Sequence, residues 1–303
     1  MLTAENFAKA TKFIKENARL LDLRKFEYEF EGGTAVSVLD ALSSYQNVDG
    51  GFGHAIEPDF RLLNSSPMAT SVGFQYCLAV DAPAGHPVVE KAIGYLVETY
   101  DREHGYWPFF TDTAVNDYPH APWWHRDEIV PPSEENWPNV SAELVGYIHQ
   151  YRQWVPTEFY DQLMTRAKEN LESTEILGSF FDCLCWERTA KLVPEPMRAQ
   201  IATKVHKSYV AMQLGDIDGF QEAPIFAVAH HPEAGFSSVY PQKTAVLLQK
   251  SIEQQQEDGG WWPMWQWGQY EDVWPIAQRE WAGILTLEAL HAYKQFDLLA
   301  KEL

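Results

Sequence analysis

Cysteine is scarce in this 303-residue chain, which has only Cys77, Cys183 and Cys185. Three do not make a disulfide framework, so a reducing compartment is expected and the location read from the sequence is cytoplasmic. Basic residues are scarce as well. Lys and Arg total 23 against 43 Asp and Glu, a formal charge of −20. A surface of that sign repels phosphate backbones and anionic headgroups, which argues against nucleic acid and against peripheral membrane binding. No apolar run approaches the roughly 20 residues needed to span a bilayer. The first residues, Met1-Leu-Thr-Ala-Glu-Asn-Phe7, are acidic and amphipathic and do not read as a signal peptide. Extended alternation of apolar and polar residues is almost absent, so little of the chain reads as sheet.

What is plentiful is apolar and aromatic. Apolar residues make up 46% of the chain, enough for a sizeable core, and there are 12 Trp. Proline punctuates helical periodicity. Thr3 caps a predicted helix over 4–21, with Phe7, Ala10, Ile14 and Leu21 on one stripe. Ser66-Pro67 opens another that runs to about Val80. Further starts fall at Pro87, Ser141, Thr157, Pro194 and Pro241, and a last long helix runs from about Pro275 to Tyr293. Helical patterns also cover 34–45 and 175–189. About eleven or twelve helices predict an all-α protein.

The turns repeat. Gln46-Asn-Val-Asp-Gly-Gly-Phe52 matches Gln255-Gln-Glu-Asp-Gly-Gly-Trp261 at Gln, Asp, both Gly and the aromatic. Weaker copies are Gly105-Tyr-Trp107 and Gln213-Leu-Gly-Asp-Ile-Asp-Gly-Phe220. A spacing near one or two units of about 50 residues fits stacked helical hairpins. In such a turn glycine takes the left-handed conformation, Asp bonds exposed backbone, the aromatic packs back and Gln bridges to a neighbouring helix. These residues read as structural fasteners.

Gln-x-x-Asp-Gly-Gly-Phe/Trp after an apolar helix resembles the repeat of squalene–hopene cyclases and of the β-subunits of protein prenyltransferases. Gly50–Arg61, Asn139–Gly146, Asp258–Trp261 and Arg279–Gly283 are similar to segments of a bacterial group of prenyltransferase-like toroids of about 300 residues. The resemblance implies an α/α toroid, about six helical hairpins closed into a barrel and filling 1–303 as one domain. It does not bring the family's chemistry with it. The Asp-x-Asp-Asp acid of the cyclases has only Asp216-Ile-Asp-Gly219 as a counterpart, and no Asp-Asp-x-x-Asp magnesium motif is present. Asp182-Cys-Leu-Cys185 is similar to part of the zinc set, but its cysteines diverge on a helix and Glu280-Trp281 stands where a His ligand would be. Neither a metal nor another cofactor is implied.

Chemistry concentrates in Gly53-His-Ala-Ile-Glu-Pro-Asp-Phe-Arg61. Pro58 disfavours helix at Glu57, and in an extended stretch Glu57, Asp59 and Arg61 face one side. Two carboxylates beside a guanidinium make an acid–base set or a salt-bridged fastener, and both readings stand. Glu280, at the start of the last helix, complements Arg61 if the ring closes. These four are the catalytic candidates. His54, Trp124, Asn139, Asp182, Trp265 and Trp281 are the candidates for substrate binding, with Asn139 also readable as an N-cap. The run Trp261-Trp-Pro-Met-Trp-Gln-Trp267 supplies aromatic faces for a carbocation, a sugar ring or the seam between hairpins. His120, His125, His230 and His231 lack metal-site spacing.

Three functions follow. The first is an enzyme of the terpenoid cyclase/prenyltransferase-like kind, with a small, isoprenoid-sized substrate in a central cavity. The second is a glycan-active toroid, hydrolase or lyase, with paired carboxyls across a Trp-walled groove. The third is a non-catalytic toroid that binds a partner. The expected ligand is thus a small molecule or a glycan, and no feature specifies an oligomeric state.

Overall fold

The computed structural model describes residues 1–213 and 224–300, and among them every named element is helical. Among the described residues, extended pairing is confined to isolated bridges such as Phe60 with His120. The degraded repeat copy at 213–220, with Asp216 and Asp218, lies almost wholly outside the described residues. The chain divides into two compact units, 1–38 with 213–303, and 39–212.

In the first unit α1 (Ala4–Asn17) begins as expected, with Thr3 Oγ1 accepting the Asn6 N–H at 3.1 Å. The single helix predicted over 4–21 is in fact two, because Ala18 and Arg19 are extended and α2 (Leu20–Phe30) follows. The break has a packing reason. Gly283 lies so close to Ala18 that a Cβ on the glycine would stand 2.9 Å from the Ala18 Cα. Two short helices, Ile225–Val228 and Gly235–Val239, were not foreseen. Pro241–Glu253 and Trp274–Gln295 match the predicted late helices. These six helices, and Ala35–Ser43 as α3, are numbered in chain order together with those of the second unit, so the last four are α10 to α13.

In the second unit α4 (Pro67–Ala79) is capped by Ser66, whose Oγ accepts the Ala69 N–H at 3.0 Å, and α5 spans Pro87–Thr99. Then come α6 (Pro138–Gln150), α7 (Thr157–Ser173), α8 (Phe180–Ala190) and α9 (Met197–Met212). The helix predicted from 175 starts later, where Ser179 caps α8. Helices α6 and α8 pack closely: a Cβ on Gly146 would meet Thr189 Oγ1 at 2.5 Å, and that hydroxyl donates to Ala142 O at the same distance.

The repeat turn is a fastener in both strong copies. Gln46 Nε2 donates to Gly50 O at 2.9 Å and to Val88 O, in α5, at 2.8 Å. Gln255 Nε2 donates to Gly259 O and to Asn6 O, in α1, both at 2.9 Å. Asp49 Oδ1 accepts the Gly51 N–H at 3.0 Å, and Asp258 Oδ1 accepts that of Gly260 at 2.9 Å. Gly50 and Gly259 have φ of 92° and 97°, and a Cβ on either would fall 2.3 or 2.4 Å from a helical carbonyl, Lys91 O or Lys9 O. Only glycine fits there. The aromatic then hangs from a buried hydroxyl. The N–H groups of Phe52, Trp107 and Trp261 donate to Thr70, Ser141 and Thr286, each at 3.0 Å. The weak copy at Gly105–Trp107 therefore keeps this bond although it has lost the Gln and Asp.

Candidate functional site

In the second unit a cleft of about 340 Å³ opens beside the first turns of α6 and α8. One wall is aromatic, built by Trp107, the aromatic of the weak turn copy at 105–107, and by Phe109 and Phe110 just after it. Trp107 is pinned by its indole N–H, which donates to Leu96 O at 2.7 Å. Behind the wall Trp124 meets Phe109 and Phe110 edge-on, with ring centroids 5.5 and 5.7 Å apart. Arg126 lies over the same rings, 5.5 Å from Phe109 and 5.9 Å from Phe110, and donates to His125 O at 2.7 Å. Burial lowers the pKa of its guanidinium, which nonetheless stays charged.

Another part of the lining is polar, with Asn136, Asn139, Ser179 and Asp182. Ser179-Phe-Phe-Asp182 forms a capping box at the start of α8: Asp182 N–H donates to Ser179 Oγ at 3.3 Å, and that hydroxyl donates back to Asp182 Oδ2 at 2.5 Å. The other oxygen, Oδ1, accepts the Asn139 N–H at 3.2 Å. These bonds favour the anion, yet burial outweighs them and pushes the carboxyl up to about 6. With 1% exposure, it is a carboxyl that changes charge near neutral pH.

Asn139 links Asp182 to a buried network. Its side chain is no N-cap; the residue leaves the helical conformation at φ −92°, ψ 103°, which turns its N–H toward Asp182. Cys185 Sγ lies 3.9 Å from Asn139 Oδ1 and 3.5 Å from Glu143 Oε2, so its single S–H serves one at a time. Glu143, 1% exposed, accepts from Arg188 Nη1 at 2.6 Å, from Gln75 Nε2 at 2.9 Å and from the Tyr147 hydroxyl. Burial, with Glu143 beside each, raises the Tyr147 phenol and the Cys185 thiol well above their usual ranges. Cys185 is thus a neutral thiol in these surroundings. Among the described residues no group of three or more His, Cys, Asp and Glu is arranged to hold a metal ion. Among the same residues no helix is long and apolar enough to cross a membrane.

Of the ten residues singled out from sequence, Asn139 and Asp182 line this cleft and Trp124 backs it. The segment 57–61 does not run extended. Phe60 N–H returns to Glu57 O at 3.3 Å, so the alternation argument for Glu57, Asp59 and Arg61 does not hold. Pro58 makes a turn here, and the chain then pairs with 119–121 through Arg61 N–H to Pro119 O and Ala121 N–H to Asp59 O. Asp59 is buried and Glu57 and Arg61 are half-buried; none of the three lines the cleft. His54 is exposed, with φ 53°, and its Nε2 meets Asn47 Oδ1 at 2.9 Å. Glu280, Trp265 and Trp281 belong to the first unit, where the two indoles pack edge-on at 5.2 Å.

Sequence reasoning missed Phe109, Phe110, Arg126, Ser179, Glu143 and Arg188. Two of these carried a readable signal. Ser179-x-x-Asp182 is a capping box, and Glu143 is a lone acid in the apolar run 140–148. Phe109, Phe110 and Arg126 come from irregular loops, where no periodicity marks a wall, and Arg188 lies on α8. No protein-family model matches the chain, and no curated protein and no solved structure matches it either.

Proposed function

We propose that the chain is an enzyme that binds a small molecule, apolar along its body and polar at one end, in the cleft over α6 and α8. Asp182 exchanges a proton with the polar end. The observation that carries this reading is the position of Asp182, a buried carboxyl pushed up to about 6 by burial, on the lining of an aromatic-walled cleft. General acid–base work is most effective when the group titrates near the working pH. A carboxyl held above its ordinary range is too weak an acid to protonate an isolated alkene. The chemistry it suits is proton transfer at a hydroxyl, a carbonyl or a carbon beside one. The aromatic wall suits a prenyl-type chain, and a cleft of about 340 Å³ is at the small end of ligand sites.

The scaffold for this reading is the closed α/α toroid of the terpenoid cyclase/prenyltransferase-like kind. Its support comes from the turns. The turn at 46–52 delivers its Gln to Val88 of α5, a helix further along the chain, and packs Gly50 on Lys91 three residues on. At 255–261 the receiver is α1, the first helix, through Asn6 and then Lys9 at the same spacing. A repeat array whose last strong turn is received by its first helix is what ring closure predicts. A glycan-active site is the second reading, favoured by Glu128, the other carboxyl residue on the cleft lining.

The test is a titration followed by Trp fluorescence, with geraniol as prenyl alcohol and cellobiose as glycan. Saturable quenching by geraniol, reduced in Phe110→Ala, is the expected result. Any turnover should fall in Asp182→Asn while binding persists. Response to cellobiose alone would favour the glycan reading, and no response to either would remove the cleft as a site for both classes.

A further inference from the structure

A second cleft, of about 510 Å³, opens in the same unit on the outer side of the first repeat turn. Asp49, Asp112, Tyr95, Leu62 and Phe110 are among its lining residues, and Phe110 is shared with the first cleft. The two strong turn copies differ here. In the copy at 255–261 the outer oxygen of the turn aspartate is occupied, because Trp262 Nε1–H donates to Asp258 Oδ2 at 3.0 Å. The residue in register with Trp262 is Gly53. It can carry no side chain, since a Cβ there would stand 2.3 Å from Leu63 O and 2.4 Å from Asn64 O. Asp49 Oδ1 is committed to the Gly51 N–H and to the Ser65 hydroxyl, at 3.0 and 2.7 Å. Asp49 Oδ2 has no counterpart of the indole.

Two further observations say what this opening would take. Tyr95 is 5% exposed, and its hydroxyl has no hydrogen-bond partner although it is buried between the fields of Asp49 and Asp112. A buried hydroxyl left unmatched is costly, and a ligand group can match it. Asp112 has spent only Oδ1, on the Ala114 N–H at 2.8 Å. Two carboxylates repel anions. They are also too few for calcium, which takes about six to eight oxygens, and the cleft is far larger than an ion. Leu62 and Phe110 add an apolar floor.

We propose that this second cleft binds a small organic ammonium compound. Its N–H groups donate to Asp49, Asp112 and the Tyr95 oxygen, and its carbon chain lies on Leu62 and Phe110. The site is separate from Asp182 and stands whether or not the first cleft is catalytic.

Isothermal titration with putrescine, a four-carbon diamine, tests it, with the matching diol and calcium chloride as controls. Saturable binding of putrescine and none of the diol is expected. Asp112→Asn should weaken binding about tenfold or more, because a charge-assisted bond becomes a neutral one. Tyr95→Phe should weaken it by a smaller factor while the melting temperature holds or rises, since the unmatched hydroxyl is gone. Asp49 is left intact because it ties the turn. Equal affinity for the diol, calcium binding without putrescine binding, or unchanged affinity in Asp112→Asn would each overturn the proposal.

Discussion

Seen from their glycines, the turns at 46–52 and 255–261 are hard to tell apart: the same Gln bridge, the same Asp bond, the same left-handed glycine on a helical carbonyl. One residue beyond the aromatic they diverge. Trp262 closes the outer side of one turn, while Gly53 leaves a cleft at the other. The units that contain them diverge in the same sense. Asp182, one of the buried carboxyls of the 39–212 unit, is held above its usual range by burial. In the other unit burial of Glu29 is outweighed by Lys25 and His291, and its carboxyl falls to about 2. The repeat keeps the fasteners, and a cleft opens where one copy departs from the other.

The sharpest way to break the comparison is to substitute both glycines. Gly50→Ala and Gly259→Ala should each destabilise by about 3–5 kcal/mol, from left-handed strain plus overlap with a carbonyl. Equal losses of folding free energy in urea would confirm that the two turns do the same job; a loss at only one would separate them.

Next in size is Asp182→Asn. Because the folded carboxyl titrates at about 6 against an ordinary 3.8, the native state holds a proton that the unfolded chain has released, and stability falls as pH rises through that window. Removing the group should raise stability at neutral pH by up to about 3 kcal/mol and flatten the profile between the two values. A wild-type profile already flat there would show that Asp182 is not held protonated.

Glu29 should behave with the opposite sign. Its depressed pKa contributes stability that is present above about 4.5 and lost as pH falls toward 2. Glu29→Gln should cost about 2 kcal/mol at neutral pH and little in acid. Smallest is Trp262→Phe, which strips Asp258 of one exposed bond and should cost about 1 kcal/mol or less, read as a shift in melting temperature.

Much of the architecture was legible before any coordinates. Thr3, Ser66 and the prolines at 67, 87 and 241 mark helix starts through local rules that act within one turn of chain. The Gln-x-x-Asp-Gly-Gly-aromatic repeat announced its own role, because each of its bonds needs a particular residue type. The local pattern runs on as one helix over 4–21, and the break comes where Gly283 presses on Ala18, a contact no local rule contains. Asp182 and Asn139 were picked out from sequence. The cluster at Glu57, Asp59 and Arg61 looked stronger, and a turn at Pro58 removed its geometric basis.

By itself, then, the amino-acid order determined helix, turn and repeat, since propensity, capping and left-handed glycine are properties of neighbouring residues. Only tertiary structure decided which carboxyl is buried on the lining of an aromatic-walled cleft and which turn stands open. Desolvation and cleft geometry depend on residues brought together from far apart in the chain, and the pattern along one segment does not record what will cover it.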